Sequence, residues 1–199
     1  MVNLKVDRDS LAGAQAMLAL VGRSVDPIIY RAINKSIDNT QTKAVDKIYG
    51  VLNLTKTRIR KDFSKMKAYS KKLSGQLLAT GLPVGFAAFK PTELKKGKGI
   101  SIKLKRTGSR EYFKHAFIRT YRGAPHVFER EEWGSAPWRP DFPYGILAKR
   151  YKYPLDRLHT AAIEDYYKDP RIYDPVQRFA ADRLEYWVEE GADWELSKI

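Results

Sequence analysis

Apolar positions recur at helical spacing in two long stretches and alternate at strand spacing between them. Asp26-Pro27 joins an oxygen cap acceptor to a proline at the first helical position, a strong start signal. Ile29, Ile33, Ile37, Ala44, Ile48 and Val51 follow at intervals of three, four and seven, with Tyr30, Val45 and Leu52 beside them. This predicts an amphipathic helix over about 26–53, with the polar stretch Asn39–Thr42 as its weak middle. A second stripe (Val176, Phe179, Ala180, Leu184, Trp187, Val188) follows Asp174-Pro175 and predicts a helix over about 175–190 ended by Gly191. Shorter helices are predicted from Leu11 to about Val21, from Lys56 to Phe63 behind a Thr55 cap, and from about Asp156 to Tyr167.

Strand signals fill the centre. Residues 2–6 alternate. Leu73–Thr80 and Val84–Phe89 flank Gly81-Leu82-Pro83, and Gly75, Gly81 and Gly85 suit bulges or tight bends. Lys95–Gly99 reads as a basic hairpin tip. Ile100–Lys105, Phe113–Tyr121 and His126–Glu129 read as strands. The expected architecture is α+β: one antiparallel sheet over about 73–130, covered by the two long amphipathic helices, in a single domain of residues 1–199. Residues 131–154 differ in character. Pro137, Pro140, Pro143 and Pro154 interleave with Trp133, Trp138, Phe142, Tyr144, Tyr151 and Tyr153, which predicts an ordered loop or arm. Rings set between prolines bury area at small entropic cost, so Trp133, Trp138 and Tyr144 are expected to contact another subunit.

Composition supports a core: 43% of residues are hydrophobic, including 12 Tyr, 8 Phe and 4 Trp. Net charge is +14 and uneven. Residues 1–152 hold 31 basic and 12 acidic side chains, a net of +19; residues 153–199 hold 6 and 11, a net of −5. Such a chain suits a polyanion partner, or other copies of itself joined basic face to acidic face. With no cysteine, disulfides, thiolate metal sites and cysteine nucleophiles are excluded. The first residues lack a signal-peptide core and no apolar run could span a bilayer, so a soluble protein without a membrane partner is expected.

The candidate chemistry is sparse. His115, His126 and His159 lie in no paired ligand spacing. Glu129, Glu131 and Glu132, and Glu189-Glu190, are grouped without a partner base. Gly97-Lys98-Gly99 lacks the rest of a phosphate loop, and no serine sits in a nucleophile elbow. No cofactor, no metal and no enzymatic activity are expected. What stands out is a basic run: Lys56, Arg58, Arg60, Lys61, Lys65, Lys67, Lys71 and Lys72, opposed within the run by Asp62 alone. It is open to three readings: a solvated face, a contact with DNA phosphates, or a contact with an acidic protein surface. Lysines and arginines alone position a backbone without specifying sequence. If about six of them neutralise duplex phosphates, log affinity should fall with log salt at a slope of roughly −5.

The order of segments resembles the minor tail protein Z family of tailed bacteriophages, within the broader set of tail-completion proteins. The likeness runs from about residue 27 to 130 and resumes near 153–190. Its residues are Arg31-Ala-Ile-Asn-Lys35, Thr55-Lys-Thr-Arg-Ile-Arg60, Leu73-Ser-Gly-Gln-Leu-Leu-Ala-Thr-Gly81, Lys114-His-Ala-Phe-Ile-Arg119, Gly123, Val127-Phe-Glu-Arg130 and Tyr153-Pro-Leu155. Segment 131–154 is long for that family. The resemblance implies a structural component of the virion, made in the host cytoplasm, at the head-proximal end of the tail or in the neck. It implies a ring of copies, with the tail terminator, tail tube or head–tail connector as neighbours, and brings no catalytic residues. A sequence-independent DNA-binding protein acting outside the virion is the competing expectation.

Overall fold

The computed structural model describes residues 2–5, 25–95, 98–130 and 155–198. The helix expected over 11–21 and the segment 131–154, with Trp133, Trp138 and Tyr144, lie outside the described residues. The protein is α+β. Its packing divides it into two compact units, one of residues 1–50, 55–82 and 162–199, the other of residues 51–54 and 83–161.

The first unit holds both long helices and one sheet. Helix α1 spans Asp26–Val51. Ile29, Ile33, Ile37, Ala44, Val45 and Ile48 are buried along it as the spacing predicts, Ile28 and Ala32 join them, and Val51 at the helix end is exposed; each buried isoleucine contributes about 2 kcal/mol. Two residues of the expected weak middle belong instead to the core. Thr40 is fully buried and donates to the Ser36 carbonyl at 2.7 Å, and Gln41 is buried beside it. Ser36 donates in turn to the Ala180 carbonyl at 2.9 Å, so the two long helices approach closely where both carry small side chains.

Helix α2 is short, Lys56–Lys61, and Thr55 caps it by accepting from the Arg58 backbone N–H at 3.3 Å. Strands β1 (Val2–Lys5), β2 (Phe63–Met66) and β3 (Ser74–Ala79) form an antiparallel sheet in the order β1-β3-β2. α1 lies on β3 at Gly75: a side chain there would reach within 2.3 Å of Ile37 Cδ1 and 2.8 Å of Ile33 Cγ2.

The second unit is built of small ladders. Residues 83–130 therefore do not continue the β1-β3-β2 sheet as one meander. β5 (Thr92–Glu93), β6 (Ile100–Ile102) and β7 (Glu111–Phe113) form one sheet; β8 (Ala116–Tyr121), β9 (Ala124–Arg130) and β10 (Leu155–Arg157) form another; β4 (Pro83–Gly85) pairs with β11 (His159–Ala162). The expected strand Val84–Phe89 stops at Gly85. Phe86–Phe89 is a 3-10 turn, whose three-residue period buries both Phe86 and Phe89, and Lys90 closes it in the left-handed region. Gly99 needs its positive φ of 86°, and a Cβ there would collide with the Phe113 carbonyl oxygen.

Near the C-terminus two expectations fail. A helix is expected over about 156–167, but residues 155–162 form β10 and β11, and only Ile163–Tyr167 is helical, as α3. Pairing with β9 and β4 decides their state, which local pattern does not encode. Helix α4 spans Pro170–Leu196 and starts at the earlier Asp-Pro pair: Asp169 caps it, accepting from the Arg171 N–H at 2.9 Å. This start brings Ile172 into the buried stripe. Pro175 falls inside the helix, where its missing N–H leaves the Arg171 carbonyl without an i→i+4 partner. Nor does Gly191 end the helix. A Cβ there would sit 2.7 Å from Ile28 Cγ2, so its bare backbone makes room for α1.

Candidate functional site

The eight cations of the basic run all fall in the first unit, on α2, β2 and the turn into β3. Ile59 is the fully buried anchor of α2, so Arg58, Arg60 and Lys61 turn toward its outer surface. β2 is an edge strand with only Phe63 buried; Ser64, Lys65 and Met66 are exposed. Tyr69 and Lys72 exchange backbone hydrogen bonds at 3.1 and 2.8 Å, which places Ser70 and Lys71 at the tip of a tight turn. An extended strand advances about 3.3 Å per residue, so the two ends of the run stand on the order of 25 Å apart. The run is a stripe along a sheet edge, not one cluster.

Half of the cations in the stripe are already paired, by three carboxylates. Lys65 lies 2.7 Å and Lys67 3.8 Å from the Asp38 carboxylate on α1. Lys56 lies 2.6 Å from Asp46, also on α1, and Arg58 pairs with Asp62 one turn along. Asp62 is the one acid within the run, but helical geometry brings Asp38 and Asp46 to it from upstream in the chain. Arg60, Lys61, Lys71 and Lys72 are exposed and have no carboxylate partner among the described residues. Among the described residues four cations of the run are thus free, Arg60 and Lys61 just before β2 and Lys71 and Lys72 in the turn after it.

Sequence pattern does not mark Asn34 beyond its place in Arg31–Lys35, yet it sets the geometry. Its side-chain amide donates to the Ala68 carbonyl at 2.9 Å and accepts from the Ala68 N–H at 2.8 Å. This imitates a strand pair and holds the segment between β2 and the turn against α1. Asn34 and Asp38 are one turn apart on the same flank of α1. Ser36 and Lys43 lie on the other flank, facing α4: Ser36 bonds Ala180, and the Lys43 ammonium sits 5.1 Å from the Phe179 ring centre.

The outer face of α4 carries the opposite sign. Asp182, Glu185, Glu189 and Asp193, spaced by three, four and four, share one exposed face and have no cationic partner among the described residues. Glu190, off that face, lies 3.7 Å from Lys35, whose ammonium is 4.1 Å from the Trp187 ring centre. On α3, Glu164 pairs with Lys168, just past the helix end, at 2.7 Å; this hydrogen bond and its charge hold the Glu164 carboxyl below, and the Lys168 ammonium above, their ordinary values. Among the described residues, no three His, Asp or Glu side chains gather as a metal site, and no helix is long and apolar enough to cross a membrane. Compared with family models, curated proteins and solved structures, the chain matches none.

Proposed function

We propose that this chain is a structural tail-completion protein of a tailed bacteriophage, a minor tail component at the head-proximal end of the tail or in the neck, working as a ring of copies. The observation that carries the reading, beside the order of segments, is the placement of free charge in the first unit. Arg60, Lys61, Lys71 and Lys72 stand on the β2 side of α1, and Asp182, Glu185, Glu189 and Asp193 on the outer face of α4, across α1. One copy cannot bring these two sets together. A head-to-tail neighbour can, and repetition of that contact gives a ring when the rotation between neighbours closes. The basic stripe would serve the neighbour, the DNA end, or both in turn; tail terminator, tail tube and connector proteins are the proposed further neighbours.

The test is a clean deletion of the gene together with a mass-spectrometric inventory of purified virions. The reading expects the protein in wild-type particles at fixed low copy number, and non-infectious particles or tails after deletion. Full infectivity without the gene rejects it. Absence from particles, with DNA binding retained by the purified protein, supports instead a sequence-independent DNA-binding protein acting outside the virion. Self-association is checked separately: Glu185→Lys with Glu189→Lys should weaken oligomers, and adding Lys71→Glu with Lys72→Glu should restore them in part.

A further inference from the structure

The second unit carries most of the net charge. It holds 17 basic and 7 acidic residues, a net of +10, against 20 and 16, a net of +4, in the unit with the basic run. Register sorts part of this charge onto one sheet face. In the β8-β9-β10 sheet, Ala116 and Val127 are buried and mark the inner face. Glu129 pairs with Ala116 and Asp156 with Glu129, so both carboxylates share that face. The opposite face takes Phe117 paired with Phe128, Arg119 paired with His126, and Tyr121 paired with Ala124; Arg157 pairs with Phe128.

The rings on that face form a ladder. Tyr121 and His126 are 6.2 Å apart between centres, His126 and Phe128 6.1 Å, Phe128 and Phe117 6.2 Å. Tyr121 is 53% exposed at the end of the ladder. Arg119, Arg122 and Arg157 are exposed around it with no carboxylate partner among the described residues. Arg122 and Gly123 form the two-residue turn with φ of 51° and 79°. Arginine occupies a position where asparagine or glycine is ordinary, and its guanidinium lies 5.3 Å from the Tyr121 ring centre.

We propose that this face binds single-stranded nucleic acid, with bases stacked on the Tyr121–His126–Phe128 ladder and phosphates held by Arg119, Arg122 and Arg157. Aromatic rings flanked by cations are what an unpaired strand recognises, since every base has a stacking face and every linkage a charge; a duplex hides its base faces and would use the cations alone. The proposal does not rest on the tail reading.

The experiment titrates labelled oligothymidylate, and separately a duplex, with the purified full chain and follows fluorescence anisotropy over a salt series. Tyr121→Ala is expected to lose about 5- to 150-fold affinity for the single strand, while Tyr121→Phe keeps it. Arg119→Ala with Arg122→Ala should flatten the salt slope on the single strand by about 1.4. Lys71→Ala with Lys72→Ala should leave the dependence on Tyr121 in place. Circular dichroism of each variant checks the fold, and crosslinking of a bromouracil oligonucleotide should map to β8 or β9. The proposal is overturned if wild type does not bind the oligonucleotide at low salt, or if Tyr121→Ala binds it as wild type does. It is equally overturned if Tyr121→Phe loses as much as Tyr121→Ala, or if the duplex binds more tightly with no dependence on Tyr121.

Discussion

Replacing Asp38 with asparagine should make the protein bind DNA more tightly and with steeper dependence on salt. One carboxylate holds two lysines, Lys65 at 2.7 Å and Lys67 at 3.8 Å. The side chains of Lys65 and Asp38 are 31% and 46% exposed, so these are surface pairs, worth about 0–1 kcal/mol each. Folding stability should therefore shift by less than about 1 kcal/mol. The effect on a polyanion is larger. Four cations of the run are free in wild type, and each phosphate contact adds about 0.9 to the salt slope on duplex DNA, so the run itself supplies a slope of about −3.6 rather than the −5 expected from composition. Asp38→Asn removes one negative charge shared by two lysines and should steepen the measured slope by about 0.9 to 1.8. The difference between variant and wild type is the informative quantity, because cations of the second unit contribute equally to both. Anisotropy titrations of a labelled duplex from low to physiological salt measure it. An unchanged slope in Asp38→Asn, with the fold intact by circular dichroism, would refute the inference that the ion pairs withhold these lysines from phosphate and that the run meets DNA.

Four further substitutions test the packing. Gly75→Ala should destabilise the fold by about 1–3 kcal/mol in thermal melts, since its Cβ would stand 2.3 Å from Ile37 Cδ1 and 3.2 Å from the Met66 carbonyl oxygen; an unchanged melting temperature would mean that β3 and α1 are not in contact there. Gly50→Ala and Gly191→Ala should differ in sign: Gly50 is helical, with nothing within 4 Å of where a methyl would stand, and should gain about 0.5–1 kcal/mol, while Gly191 meets Ile28 Cγ2 at 2.7 Å and should lose stability. Tyr167→Phe should be neutral or stabilising, because the buried Tyr167 hydroxyl has no hydrogen-bond partner among the described residues. Burial, with the charge on Tyr173 second, raises the Tyr167 pKa above its ordinary value. The folded state then keeps a proton that the unfolded chain releases near pH 10, so wild type should lose stability as pH rises through 10, and Tyr167→Phe should lose less. Equal alkaline loss in both proteins would count against a buried Tyr167.

Much of the fold was legible because its signals are local. The Asp26-Pro27 start, the Ile33–Ile37–Ala44–Ile48 stripe and the Thr55 cap each act within a turn or two of themselves, and α1 and α2 stand where those signals put them. Choices between competing signals were not legible. Two Asp-Pro pairs lie five residues apart, and only the packing of Ile172 selects the first. Gly191 looks like a helix stop, yet its role is to admit Ile28. Residues 155–162 carry no mark of the β9 and β4 partners that make them strands. The same gap separates a basic run in sequence from a basic surface: composition sees eight cations, whereas the turn of α1 decides that Asp38 and Asp46 reach back to three of them.

Charge in this protein therefore has to be counted by face. The linear division, +19 before residue 153 and −5 after it, suggests a basic body with an acidic tail. In three dimensions the acidic segment is the outer face of a helix packed on α1, and the stripe that dominates the sequence sits in the unit that is closer to neutral. A chain that needed only solubility could scatter its charges. Here the free carboxylates of α4 and the free cations at the ends of β2 lie across α1 from each other, which no single copy can exploit and a head-to-tail neighbour can. Arg119 and Arg157 share a sheet face with rings, and Glu129 and Asp156 of the same sheet share the other. The two proposed partners, a neighbouring copy that presents its α4 carboxylates and a single strand of phosphates and bases, each answer to one part of that separation.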